Sequence, residues 1–288
     1  MTNAVVVVGS LHYDIVVDAP DRPRKGETVT GHKWYPKFGG KGGNQAVAAA
    51  KAGAETRFVG AVGTDGFAEV MLTTLREAGI ATSHVAKLAE CGTGMSVAIT
   101  DAEGDYGAVI VSGANLQIKT TQFDDPAIWK DAKVLILQNE IPEQINISAA
   151  RMARSKGLEI CLNAAPWRSL SAELTELIDI LVVNAVEAED MGGGVVRDLG
   201  SAKQAAIALS AQVPTTIVTA GGDGVAWARR DFGAGSLPAH KLKVISTHGA
   251  GDMFIGTFCH NIALGEELED AIKAANMSAA KHISQSHE

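Results

Sequence analysis

Four consecutive valines, Val5 to Val8, and the run Val134-Leu135-Ile136-Leu137 are apolar at every position, so a strand built from either buries both of its faces. Such strands need helices on each side of their sheet, and the chain supplies them. Strand-like runs at 4–8, 56–61, 134–137, 159–163, 180–183 and 215–219 alternate with helical periodicity at 43–53, 66–78, 143–156, 200–211, 251–264 and 267–282. The alternation predicts an α/β fold, doubly wound, with a mostly parallel sheet flanked by helices. Ligands on such sheets gather beyond the carboxyl ends of the strands.

Two segments break the rhythm. Residues 11–37 carry little helical pattern, and within 93–112 the β-prone runs Met95 to Thr100 and Tyr106 to Val111 flank a turn at Asp101-Ala102-Glu103-Gly104-Asp105. Together they predict a small, discontinuous β-sheet lid on a single domain of residues 1–288. A lid excludes water from a reaction beneath it, and its exposed face can pair with a second copy, which predicts a homodimer through the lid.

The net charge of −8 argues against a nucleic-acid partner, and no basic cluster interrupts it. Three widely separated cysteines, Cys91, Cys161 and Cys259, form neither a disulfide framework nor a CxxC pair, and the eight histidines form no HxxxH or HExxH pair. The apolar start is too short and lacks the basic flank of a signal peptide, and no stretch approaches membrane-spanning length. These features predict a reduced, cytoplasmic protein with no membrane partner.

Chemistry concentrates in four clusters. Thr247-His248-Gly249-Ala250-Gly251-Asp252 follows the strand-like Leu242 to Ile245 and opens a helix. Backbone N–H groups at a helix entrance favour an anion by about 0.3 to 2 kcal/mol, and small residues let a phosphate approach. Asp252 then stands where an acceptor hydroxyl meets that phosphate, although aspartate also serves as an ordinary N-cap. His248 beside it can face phosphates or cap the turn.

The run Phe38-Gly39-Gly40-Lys41-Gly42-Gly43-Asn44-Gln45-Ala46 is a second glycine-rich helix entry, and it is not a Walker A loop. Its glycines bring main-chain amides close to a ligand, and Asn44 offers both a donor and an acceptor to sugar hydroxyls. Asn184 and Glu187 have capping-box spacing after a strand, and the same pair can orient magnesium-bound water. The turn Thr219-Ala220-Gly221-Gly222-Asp223-Gly224 follows another strand and is either a plain turn or part of a ligand site.

These clusters, in this order and together with Gly9-Ser10, Asp14, Lys25 to Gly31, Ser112-Gly113-Ala114-Asn115 and Glu140, resemble the ribokinase-like (PfkB-type) carbohydrate kinases from Val5 to about Ala280. The resemblance implies transfer of the γ-phosphoryl group of ATP, with Mg2+, to a primary hydroxyl of a pentose such as ribose; a ketose, a deoxy sugar or a nucleoside is the alternative acceptor, and a binding regulator that has lost catalysis is the alternative role. It makes Asp252 the catalytic base, Gly249, Ala250 and Gly251 the anion hole, and Asp14, Gly40, Lys41, Asn44 and Glu140 the sugar contacts. Asn184, Glu187, Thr219, Gly221, Gly224 and Asn276 become the nucleotide site, with Glu187 reaching magnesium through water. Three departures stand out. His12 replaces the asparagine usual in ribokinases two residues before the sugar-binding aspartate, which points to a different fit for the bound sugar. Ser246 replaces the aspartate of potassium-activated members, which argues against K+ activation. The chain ends at Glu288, before a segment that helps wall the nucleotide and cation sites in the family, which predicts weaker nucleotide binding.

Overall fold

The computed structural model describes residues 3–101 and 106–285. In chain order its strands are β1 (Ala4–Val8), β2 (His12–Asp18), β3 (Lys33–Gly39), β4 (Thr56–Val62), β5 (Val85–Lys87), β6 (Met95–Thr100), β7 (Tyr106–Val111), β8 (Ala132–Gln138), β9 (Glu159–Asn163), β10 (Ile180–Asn184), β11 (Thr215–Thr219), β12 (Gly224–Arg229) and β13 (Gly233–Pro238). The helices are α1 (Lys41–Ala52), α2 (Gly66–Glu77), α3 (Pro126–Trp129), α4 (Glu143–Ser155), α5 (Ala172–Leu177), α6 (Ala185–Asp190), α7 (Leu199–Leu209), α8 (Ala250–Leu264) and α9 (Leu268–Ile283).

The large sheet has the order β13-β12-β11-β10-β9-β8-β1-β4-β5 and is parallel from β11 through to β5. Its centre is β1, where the valines divide between two cores. Val5 and Val7 pack with Ala46 and Ala49 of α1, Met71 of α2, Phe254 and Phe258 of α8 and Ala271 of α9. Val6 and Val8 join Ala149 and Ala153 of α4 and Ala202 and Ala206 of α7. Helices therefore cover both faces, and each buried valine stabilises the fold by about 1.5–3 kcal/mol relative to exposure.

The second sheet has the order β3-β2-β6-β7, with β2 and β6 parallel and the other pairs antiparallel. Its strands come from the two segments that interrupt the α/β rhythm. The turn expected between β6 and β7 lies, beyond Asp101, outside the described residues.

The region before α8 differs from expectation. Leu242 to Ile245 form no strand; Leu242, Val244 and Ile245 are exposed, and the Ile245 N–H donates to the Ile283 carbonyl at 2.8 Å. The chain must cross there from the edge strand β13 to α8, which packs against the central β1 and β8, so these residues follow a crossing loop instead of a ladder. The antiparallel hairpin β12–β13 was equally hidden in the sequence, because Gly233 to Pro238 shows no alternating pattern. Gly235 lies opposite Trp227, and a Cβ there would stand 2.3 Å from the indole, so the strand is built around that ring.

Candidate active site

The α1 and α8 helices set the site. Gly256 of α8 lies so close to α1 that a Cβ on it would meet the Ala48 Cβ and the Ala49 nitrogen at 2.5 Å each. One turn earlier on the two helices stand Asp252 and the pair Asn44–Gln45. Asn44 Nδ2 donates to Asp252 Oδ2 at 3.3 Å, and Gln45 Nε2 donates to Asp252 Oδ1 at 3.0 Å. Gln45 is fully buried, and its Nε2 also lies 3.1 Å from Asn163 Oδ1 at the end of β9. Asn163 is held in turn by donating to the Val182 carbonyl at 3.1 Å.

Burial pushes the Asp252 carboxyl above the ordinary aspartate range, with the nearby Glu140 adding to the rise. The Lys41 charge and the Gln45 and Asn44 hydrogen bonds act against that shift. A carboxylate of raised basicity, held by amides on both oxygens, suits a proton acceptor. Around it, α8 begins at Gly249 in the left-handed region (φ 77°) with no side chain capping the first turn, and a Cβ on Gly251 would meet nothing within 4 Å. The Ala250 N–H turns back to the Thr247 carbonyl at 3.3 Å, and the ground beside Gly251 is open to an approaching anion.

The opposite wall is built by the chain leaving β1. Gly40 sits at φ 85°, where a Cβ would stand 2.8 Å from both the His12 nitrogen and the Ser10 carbonyl, so glycine is required there. The Ser10 hydroxyl donates to Glu140 Oε2, which also accepts from the Lys41 backbone N–H at 2.8 Å. His12 Nδ1 lies 3.9 Å from the same oxygen. Asp14 on β2 accepts from the Ser96 hydroxyl of the neighbouring β6 and lies opposite Lys37 on β3. Burial raises the Asp14 carboxyl, while the Ser96 hydrogen bond and His12 oppose the rise; burial also lowers the Lys37 ammonium. Fields from Glu140 reach both Asp14 and Asp252, so the two walls share one electrostatic environment.

Asn184 and Glu187 close a capping box at the start of α6, through Glu187 Oε2 at 2.8 Å from the Asn184 nitrogen and Asn184 Oδ1 at 2.9 Å from the Glu187 nitrogen. Burial raises the Glu187 carboxyl; the Asn184 N–H and Lys41 lower it, and Asp190 and Asp252 contribute a further rise. Burial is also the main cause that lowers His248 to about 4, followed by Lys37 and Lys41, so its ring is neutral near pH 7.

The remaining candidates are more structural in their contacts. The Thr219 hydroxyl donates weakly to the Val183 carbonyl at 3.4 Å, Gly221 opens a short 3-10 turn, and Gly224 pairs with Pro238, where a Cβ would meet the Leu237 carbonyl at 2.1 Å. Asn276 Nδ2 donates to the Pro238 carbonyl at 3.0 Å, pinning α9 to the end of β13. Ser246 is exposed and its hydroxyl accepts from the His248 N–H at 3.3 Å. Sequence reasoning quoted Gln45 and Ser10 within their motifs without giving either a role, and it missed Ser96. Gln45 was readable only from its adjacency to Asn44 on the face of α1 that carries Ala49.

A carboxylate at a helix entrance with no side-chain cap, amide donors fixing it and a polar wall of Asp14, Lys41 and Glu140 are groups that suit proton transfer from an alcohol. The chain belongs to the pfkB family of carbohydrate kinases, whose pattern matches residues 2–287. It is 36% identical to a ribokinase of Staphylococcus aureus (strain COL), over 99% of this chain and 96% of that one, and 35% identical to a ribokinase of Mus musculus, over 97% and 88%. Among solved structures, that of Arabidopsis thaliana ribokinase complexed with ribose and ATP superposes with a TM-score of 0.91 at 27% identity, covering 99% of this chain and 94% of that one. The protein is accordingly an ATP-dependent carbohydrate kinase.

Proposed function

We propose that the acceptor is a pentose, ribose first among them, phosphorylated on its primary hydroxyl. The observation that carries this reading is the meeting of Asn44 and Asp252 at 3.3 Å, which joins the polar wall for sugar hydroxyls to the base at the helix entrance. Asp14, Gly40, Lys41 and Glu140 hold the ring hydroxyls. The primary hydroxyl points at Asp252. Its oxygen attacks the γ-phosphorus as the bond to the β–γ bridging oxygen breaks, its proton passes to Asp252, and ADP leaves. Gly249, Ala250 and Gly251 present amides to the transferring charge, and positioning with electrostatics supplies most of the rate.

Thr219, Gly221, Gly224 and Asn276 line the nucleotide end. Magnesium, when bound, neutralises charge on the phosphates. Glu187 with Asn184 suits a water-mediated contact to it: among the described residues no three His, Cys, Asp or Glu side chains cluster as a metal site, and magnesium leans on phosphates and waters. Ser246 offers a hydroxyl in place of a charged side chain, which argues against activation by K+.

The four-stranded sheet acts as the lid, and its outer side carries the exposed Trp34, Val109 and Val111, an apolar face suited to a second copy. No helix among the described residues is long and apolar enough to cross a membrane, and the three cysteines are free, which supports work in the reducing cytoplasm. A panel of sugars and nucleosides assayed by ADP release tests the reading: ribose gives the highest kcat/KM. A panel in which no acceptor raises ADP release above the ATP-only rate overturns it and leaves a binding regulator.

A further inference from the structure

Glu140 borders a cavity of about 310 Å³ whose lining does not include Asp252. His12 and Glu140 form its boundary with the sugar wall, Ile110 and Ser112 come from the lid side, and Asn139 and Arg168 follow β8 and β9. Polar atoms of three of these residues are buried without a hydrogen-bond partner: His12 Nε2, both amide atoms of Asn139, and Nε and Nη2 of Arg168. His12 is 3% exposed. Leaving one such group unmade costs about 1–3 kcal/mol, so several around one cavity point to a missing ligand.

The chemistry of the set is specific. Nε and Nη2 form the side edge of the guanidinium, the fork that takes two oxygens of a carboxylate or phosphate at once. Burial depresses the Arg168 guanidinium from its ordinary value, with Glu143 opposing. The one carboxylate facing the cavity, Glu140, has Oε2 committed to Ser10 and to the Lys41 N–H. Arg168 sits on a flexible stem and reaches an incoming group by a rotamer change. Apolar Leu116, Ile141, Pro142 and Pro166 share the lining.

From this geometry we infer that the cavity is an oxyanion subsite for the acceptor, taking a carboxylate or phosphate borne at the end of the sugar remote from the hydroxyl that faces Asp252, with Arg168 as the fork and His12 and Asn139 as flanking donors. The inference rests on the pentose-kinase reading above, since that reading sets which end of the sugar points at Asp252. It makes His12 part of the selection for a substituent at the anomeric end.

The test compares ribose, ribose 1-phosphate and ribonate as acceptors for the wild type, Arg168→Gln and Arg168→Lys, each checked for unchanged thermal unfolding. The expected result is that the ratio of kcat/KM for the anionic acceptor over ribose falls at least about tenfold in Arg168→Gln and less in Arg168→Lys, which keeps the charge without the fork. The better of ribose 1-phosphate and ribonate names the oxyanion, and a wild type that turns over ribose but neither of them overturns the inference. Equal losses for charged and neutral acceptors make Arg168 a structural residue and overturn the inference while leaving the kinase reading intact. So does an effect of Arg168 seen only when inorganic phosphate is added to ribose reactions, because the ion is then free and not carried by the sugar. No turnover with any acceptor removes the kinase reading and this inference with it.

Discussion

Gln45 Nε2 lies 3.0 Å from Asp252 Oδ1 and 3.1 Å from Asn163 Oδ1, so a fully buried amide ties the carboxylate at the head of α8 to the end of a central strand. Gln45, fully buried, holds the Asp252 carboxylate from inside the fold. Hydrogen bonds to charged groups contribute about 1.5–3 kcal/mol, so Gln45→Leu is expected to lower kcat roughly ten- to hundredfold with a smaller change in KM. Because that bond lowers the Asp252 pKa, its loss also moves the acid limb of kcat/KM to higher pH. An unmoved limb reduces Gln45 to packing.

The pH profile of the wild type follows from the same carboxylate. Burial holds Asp252 above its ordinary value of 3.8, so proton acceptance fails on the acid side at a pH above the usual aspartate range. Lys41 lowers that pKa, and Lys41→Met is therefore expected to shift the acid limb of kcat/KM upward. His248, already neutral above about pH 4, leaves the limb in place when changed to Gln. Steady-state rates across pH check all three.

Gly40→Ala tests the polar wall. At φ 85°, with backbone atoms of Ser10 and His12 2.8 Å from the new Cβ, the substitution is expected to cost about 1–3 kcal/mol in urea unfolding and to raise the KM for ribose.

Glu187 closes the capping box, and substitution separates that contact from the magnesium role proposed for it. Glu187→Gln keeps an oxygen that accepts from the Asn184 N–H, so thermal unfolding stays near the wild type while the magnesium concentration for half-maximal rate rises. Glu187→Ala loses the box as well and is expected to cost about 0.5–2 kcal/mol. Equal magnesium dependence in wild type and Glu187→Gln removes the metal role.

Much of this was legible in the chain because apolar runs such as Val5 to Val8 suit central strands, and because glycines at Gly40 and Gly249 mark backbone conformations that other residues strain to adopt. What periodicity hides is where a segment must travel. Leu242 to Ile245 has strand composition but crosses from an edge to the centre, and Gly233 to Pro238 lacks strand composition but pairs because Trp227 covers Gly235. Gln45 and Arg168 were equally silent, since their meaning lies in partners far along the chain: Asp252 for the one, and the 139–142 loop for the other.

The central claim is that Asp252 receives the proton of the acceptor hydroxyl. Turnover of ribose by Asp252→Asn, measured beside its thermal unfolding, tests it most directly. A fall of at least about 10²-fold in kcat in a protein that unfolds like the wild type is the predicted result. A near-normal kcat would contradict the claim.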